Sequence, residues 1–248
     1  MANRIDLVGP SYISYNHKEL LNKLSGHGLQ VSYRYNRSPH LYSSAMVSIE
    51  LQFINQSSEE ISNIQMGQKS LPPGMQMQEF APINLLNPGQ CATSVMGVDF
   101  NDSTHAIDFE IISTNGTSRV TFKPAIGELI RSVHISETLF KEERLKLRGM
   151  NEHQIKLKLK RDAIESTALK QKIFECINVA ALNTNNCEDK YVYDFVGQTM
   201  TSKSLVLITC DWSQTPDDLI VQVNCEKMVI GSMVLNEISS YLNATFKY

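Results

Sequence analysis

From Leu29 to about Phe122, hydrophobic residues recur at every second position, the spacing that sends successive side chains to opposite faces of a strand. Leu29, Val31, Tyr33 and Tyr35 alternate with Gln30, Ser32 and Arg34, and Val47, Ile49, Leu51 and Phe53 alternate with Ser48, Glu50 and Gln52. Each run has one face for a core and one for water, as a strand of a two-layer sandwich requires. Ile107, Phe109 and Ile111 repeat the pattern, and Asn115-Gly116 supplies a tight turn into Arg119–Phe122, which predicts a hairpin. Pro72-Pro73-Gly74 and Asn87-Pro88-Gly89 break the runs with fixed proline φ and permissive glycine. Short strands punctuated in this way predict an immunoglobulin-like antiparallel β-sandwich, without disulfide support because only Cys91 lies in this half.

After Pro124 the rhythm changes. Ser136 is a candidate N-cap for a short helix over Glu137–Arg144. Ile155, Leu157 and Leu159 alternate with Lys156, Lys158 and Lys160 as a strand, and Leu169, Ile173, Cys176, Ile177 and Ala180 then fall on one helical face. Tyr191, Tyr193 and Phe195 resume the alternation, followed by Leu205–Thr209 and Leu219–Val223, and a final helix over Ser232–Leu242 would bury Leu235, Ile238 and Leu242. Helices interspersed with antiparallel strands predict an α+β platform, helices on a sheet. The expected division is an N-terminal segment and sandwich over residues 1–128 and a platform over 129–248, joined closely around Ala125 to His134.

A chain of 248 residues with 42% apolar and 20% charged composition can build a core without covalent staples. The net charge of −3 and pI near 6.1 lack the basic footprint of a nucleic-acid binder, so no nucleic-acid partner is expected. Met1–Gln30 show no basic segment followed by an apolar run, and no stretch reaches eighteen apolar residues, so a cytoplasmic chain is expected. Cys91, Cys176, Cys187, Cys210 and Cys225 are odd in number and contain no C-x-x-C pair, which signals neither a disulfide framework nor zinc. Asn36, Asn55, Asn101, Asn115 and Asn243 open sequons that matter only in a secretory lumen.

The chain carries no G-x-S-x-G, H-E-x-x-H or P-loop, and Gly26-His27-Gly28 lacks the third glycine and the preceding strand of a dinucleotide fingerprint. The six histidines are scattered, with no pair at the i, i+4 spacing that would share a metal. No catalytic, cofactor-binding or metal-binding residue is therefore assigned, no cofactor is expected, and the chain is read as a non-enzyme. Charge is more uneven. Lys141–Lys172 holds ten Lys or Arg against five Asp or Glu, a local excess of +5 in a chain of net −3. Lys156, Lys158 and Lys160, on one side of their strand, could meet an acidic peptide or an anionic lipid headgroup. The alternative is a charged edge that discourages aggregation. Trp212, the single tryptophan, follows an apolar strand and is a candidate exposed anchor, and Phe174 beside Lys170 and Lys172 is a second. Core packing stays open for both rings.

Met96-Gly97-Val98-Asp99-Phe100-Asn101-Asp102-Ser103-Thr104 and Gly149-Met150-Asn151-Glu152 resemble one narrow adaptor family. Met46-Val47-Ser48-Ile49, Leu71-Pro72-Pro73-Gly74-Met75, Phe80-Ala81-Pro82-Ile83, Gly127-Glu128-Leu129 and Val229-Ile230-Gly231-Ser232 extend the similarity in matching order. The family is the C-terminal appendage, or ear, of the beta subunit of the third heterotetrameric adaptor complex, a beta-adaptin. The resemblance implies a bilobed, noncatalytic appendage, a sandwich followed by a platform, that recruits or regulates accessory proteins through short peptide motifs. It implies cargo sorting from Golgi and endosomes to lysosomes and related organelles, on the cytosolic face of Golgi, endosomal and coated-vesicle membranes. Delta, mu and sigma subunits would be met only through a trunk that these residues do not contain, and membrane association would be indirect. A peripheral anionic-lipid module using the basic region 141–172 is the alternative. Related platforms hold peptides in an aromatic pocket that includes a tryptophan, whereas the expected counterpart here, Thr167–Leu182, has Phe174 and no tryptophan.

Overall fold

The computed structural model describes residues 5–7, 17–161, 165–182 and 191–246, and Cys187 lies outside them. Along the chain come β1 (Asp6–Leu7), β2 (Lys18–Leu21), β3 (Leu29–Asn36), β4 (Val47–Asn55), β5 (Ile61–Ser70), β6 (Gln76–Gln78), β7 (Ile83–Leu86), β8 (Cys91–Asp99), β9 (Ile107–Ser113) and β10 (Gly116–Phe122). A 3-10 turn at Ile126–Leu129 leads to β11 (Ile130–His134), α1 (Glu137–Lys146), a second 3-10 turn (Gly149–Asn151) and β12 (Glu152–Leu157). Then follow α2 (Ser166–Cys176), β13 (Ala180–Ala181), β14 (Val192–Thr199), β15 (Leu205–Asp211), β16 (Leu219–Cys225) and α3 (Met228–Thr245). Among the described residues, 17–125 form one compact unit and 5–7 with 126–246 form another.

The first unit is the expected immunoglobulin-like sandwich. Its two antiparallel sheets have strand orders β2-β3-β4-β8-β6 and β10-β9-β5-β7. Alternation along β4 sends Val47, Ile49, Leu51 and Phe53 inward, all buried, because β3 and β8 pair on its two sides and leave only its faces to choose between core and water. The sheets meet through aromatic rings: Tyr33 of β3 lies edge-on to Phe122 of β10, centroids 4.9 Å apart, and Phe100 stacks on Phe122 at 6.1 Å. The β9–β10 hairpin forms, but its loop is Thr114-Asn115, with Gly116 already paired to Ser113. Gly116 has φ +142, so the glycine opens the strand where the turn was expected to centre.

The second unit is the platform. Its seven-stranded antiparallel sheet runs β1-β11-β14-β15-β16-β12, with β13 also on β14. The sandwich therefore does not include the N-terminal strand: Asp6 and Leu7 register against His134 and Val133 of β11, and Ile126–Glu128 group with the platform. Helices cover both faces. α1 sets Phe140 against Val133, Val196 and Leu207 on one face, while α3 lies on β16 and β12 on the other, with Gly231 close to His153 and Cys225. Ser136 caps α1 as expected, its side chain accepting from the Leu139 N–H at 3.1 Å.

The helices have different limits from those the spacing predicted, and α1 runs past Arg144 to Lys146. α3 begins at Met228, a turn before Ser232. α2 ends at Cys176, so Ile177 and Ala180 leave the expected helical face. The reason is competition for the backbone: the Asn178 N–H donates to the Gly127 carbonyl at 3.2 Å, and Ala180-Ala181 then pair with β14. The β-branched Ile177 and the Asn178-Val179 step favour that extended exit over another helical turn.

Candidate functional site

The lysines of the basic region do not stand along one strand. β12 ends at Leu157, so Lys156 lies on it and Lys158 and Lys160 lie beyond, although all three remain exposed while Leu159 stays buried. Lys156 and Lys158 converge on one carboxylate, Asp218, at 2.8 and 3.3 Å. The hydrogen bond from Lys156 holds the Asp218 carboxyl below the ordinary carboxylate range, with Lys158 and the Thr215 hydroxyl adding to it. Asp218 comes from the loop before β16, sixty residues on, which no local pattern links to these lysines.

Trp212 is not an exposed anchor. It is 3% exposed, its indole N–H donates to the Leu159 carbonyl at 2.8 Å, and its ring meets Tyr193 edge-on at 6.3 Å. The strand-end position implied a wet ring, but the chain after β12 folds back over it and supplies the acceptor that a buried indole needs. Above it the surface is cationic: Lys170 sits 5.6 Å from the Tyr193 ring centroid, and the Arg161 guanidinium 4.1 Å from that of Tyr191. Lys170 and Lys172 therefore part company around the half-buried Phe174. Lys172 pairs with Glu175 at 2.7 Å, and Glu175 also accepts from Tyr241 and Gln171. Burial opposes ionisation of Glu175, but these hydrogen bonds outweigh it and lower its affinity for a proton.

A second feature escaped the sequence reading. An open groove of about 740 Å³ is lined by Lys141, Arg144, Leu145, Arg148, Gly149, Glu152 and Gln222. α1 supplies Lys141, Arg144 and Leu145, and Arg144 donates to Gln222 of β16 at 2.9 Å. Positions 141, 144 and 148 follow the i, i+3, i+7 spacing of one helical face, a signal present in the sequence. Arg148 has no ion pair among the described residues, and Leu145 and Met150 expose apolar side chains nearby, Met150 to 75%. Gly149 takes φ +71, which turns the chain from α1 into β12. Beneath α1, Asp194 accepts from the Thr209 hydroxyl at 2.7 Å, and burial raises its carboxyl above the ordinary range.

Among the described residues, no group of three or more His, Cys, Asp and Glu side chains could hold a metal ion, and no helix is long and apolar enough to cross a membrane. What these surfaces offer is ammonium and guanidinium groups, half-exposed rings and an open groove.

Comparison with known proteins bears on the whole chain. The family of the C-terminal part of the clathrin-adaptor complex-3 beta-1 subunit matches residues 1–105, and that of the C-terminal domain of AP-3 complex subunit beta-1 matches residues 127–242. The AP-3 complex subunit beta-2 of Mus musculus is 37% identical over 91% of this chain and 20% of that protein. The Mus musculus AP-3 complex subunit beta-1 is 35% identical over 96% of the chain and 21% of that protein, and the Homo sapiens subunit beta-1 33% over 96% and 22%. The chain thus spans about a fifth of the length of the curated relatives it matches. Among solved structures, the GAE domain of GGA2p from Saccharomyces cerevisiae overlaps 44% of this chain and 97% of that chain at 15% identity and a TM-score of 0.30, a likeness too slight to bear on the fold. With both of its units matched to the same end of the same protein, the chain belongs to the family of C-terminal regions of AP-3 beta subunits.

Proposed function

We propose that this chain is a noncatalytic appendage of a vesicle-coat adaptor, recruiting or regulating accessory proteins during sorting of cargo from Golgi and endosomes to lysosomes and related organelles. The observation that carries the reading is the match of both units to the C-terminal regions of AP-3 beta subunits. In this reading the chain works on the cytosolic face of those membranes. The delta, mu and sigma subunits contact parts of the beta subunit outside these residues, so the chain meets the membrane only through the assembled complex. Lys156, Lys158, Lys160, Lys170, Lys172 and Phe174 are its docking surface, with Trp212 as a buried support for the cationic end.

The electrostatics favour a protein ligand over the rival anionic-lipid reading of region 141–172. Lys141, Lys146, Lys156, Lys158 and Lys172 each have a carboxylate partner. Ion-paired cations leave local positive charge interleaved with carboxylates, which a shaped polypeptide can match residue by residue, whereas a planar anionic bilayer meets the carboxylates as well. The test is a beta subunit truncated before this region, expressed in cells lacking the native subunit. The complex should still assemble, and lysosome-bound membrane cargo should be diverted to the cell surface. Full rescue of delivery by the truncated subunit would refute the proposal.

A further inference from the structure

β12 is the terminal strand of the platform sheet. β16 pairs with one side over Glu152–Leu157, and no described strand pairs with the other. In an antiparallel pair every second residue of an edge strand points its N–H and C=O away from its partner, so β12 presents a row of backbone donors and acceptors about 20 Å long. Gln154 and Lys156 are exposed along it. Cations stand at both ends: Arg148 four residues ahead, and Lys156 near the far end with Lys158 just past it, 88% of its side chain exposed; Glu152, the carboxylate on the strand, accepts from Asn224 of β16. One carboxylate, Asp218, serves both lysines, which leaves that end with a net positive charge.

We propose that β12 accepts an extended acidic segment of a partner protein as an added strand. The inference rests on the docking role proposed above and names the chemistry of the partner. Backbone hydrogen bonds along the free edge supply affinity, and carboxylates opposite Arg148, Lys156 and Lys158 supply selectivity. Two copies of β12 aligned in parallel would set like charges against each other, whereas an acidic strand meets opposite ones. The groove between α1 and Glu152 continues the edge past the N-terminal end of β12. There Leu145 offers apolar contact to the incoming segment.

The probe is a fluorescein-labelled octapeptide of alternating glutamate and valine, with two controls: glutamine in place of glutamate, and N-methylation of alternate backbone nitrogens. Saturable binding of the acidic peptide is expected, with slowed hydrogen exchange at amides 152–157. Charge reversal by Lys156→Glu with Lys158→Glu should weaken it about ten-fold or more, through lost attraction and new repulsion. N-methylation should abolish it, because it removes the donors of the new ladder and leaves the carboxylates in place. If the reversed pair disturbs folding by circular dichroism, Arg148→Glu tests the other end of the edge. The inference is overturned by absence of saturable binding, by equal binding of the N-methylated peptide, by protection appearing away from β12, or by phosphatidylserine vesicles displacing the peptide. Should the truncated subunit missort cargo while Lys156→Glu with Lys158→Glu sorts normally, recruitment stands and this edge is not its surface.

Discussion

Replacing Trp212 by phenylalanine isolates the bond that makes this ring part of the core. The indole N–H reaches the Leu159 carbonyl at 2.8 Å from a site where the residue is 3% exposed. Phenylalanine keeps a ring for Tyr193 to pack on but has no donor, so a buried carbonyl loses its partner at about 1–3 kcal/mol. The smaller ring gives up apolar contact worth about 1 kcal/mol more. A total of about 2–4 kcal/mol is a large share of the stability of a single domain, and at a usual urea slope it lowers the unfolding midpoint by about 1 M or more. Far-UV circular dichroism during urea unfolding measures this without relying on the fluorophore that the substitution removes. In the wild type, Trp212 is the only tryptophan, so its emission should be blue-shifted and resist iodide quenching until the platform unfolds. An unchanged midpoint together with free quenching in the native protein would place the ring at the surface and restore it as an anchor.

Glycine substitutions should separate close packing from backbone conformation. A Cβ on Gly127 would lie 2.1 Å from the Cys176 carbonyl oxygen, a backbone atom that cannot give way cheaply, so Gly127→Ala should cost at least about 3 kcal/mol in a thermal melt. Gly149→Ala meets nothing within 4 Å and should cost about 1 kcal/mol through its φ of +71 alone; equal losses at the two sites would contradict this account. Ser136→Ala removes the cap on α1 and should destabilise the platform by about 1 kcal/mol in urea. Asp194 gives a pH test. A carboxyl raised by burial opposes folding only when ionised, so its penalty is absent in strong acid and sets in as pH climbs from the ordinary carboxylate value to the raised one. Asp194→Asn, which keeps an acceptor for Thr209, should gain stability over the wild type across that interval and hold the gain to neutrality, and parallel stability curves would exclude the raised carboxyl.

Strands whose inward positions are uniformly large and apolar could be read from the chain. β3, β4, β9 and β16 satisfy that condition, and each lies where alternation put it. β8 does not, because its inward set descends from Met96 and Val98 to Ala92 and Ser94, which blurs the period near the sheet's end. β5 turns out of register between Met66 and Lys69, and a bulge breaks a two-residue rhythm. The surface was less legible than the core for a physical reason. That Lys156 and Lys158 would share Asp218, and that Trp212 would find its acceptor at Leu159, depends on how the chain after β12 runs beside the loop before β16. Neither contact has a periodic signature. The cationic face of α1 did have one, at 141, 144 and 148, but it spans the helix end and reads as part of an undivided basic region.

The motifs that tie this chain to its family include sites of close approach, where likeness records packing and not the choice of partner. Gly97 leaves room for the His40 ring, which would sit 2.6 Å from an added Cβ, and Gly127 lets the chain pass the end of α2. Asp99 accepts the Asn101 N–H, a local turn bond. Any chain with this fold must meet such demands whatever it binds, so likeness at these positions transmits architecture. Arg148, Lys156 and Lys158 fill no cavity: Arg148 is exposed, and the two exposed lysines reach a single carboxylate, Asp218, so their exchange would open no hole in the core. Selectivity between members of the family should therefore reside in the charge along the β12 edge. Transplanting acidic residues to 148, 156 and 158 should redirect binding from acidic to basic strands and, because Asp218 loses both ammonium partners, lower the unfolding midpoint as well. A variant that lost stability and kept its original preference would place recognition elsewhere on the platform.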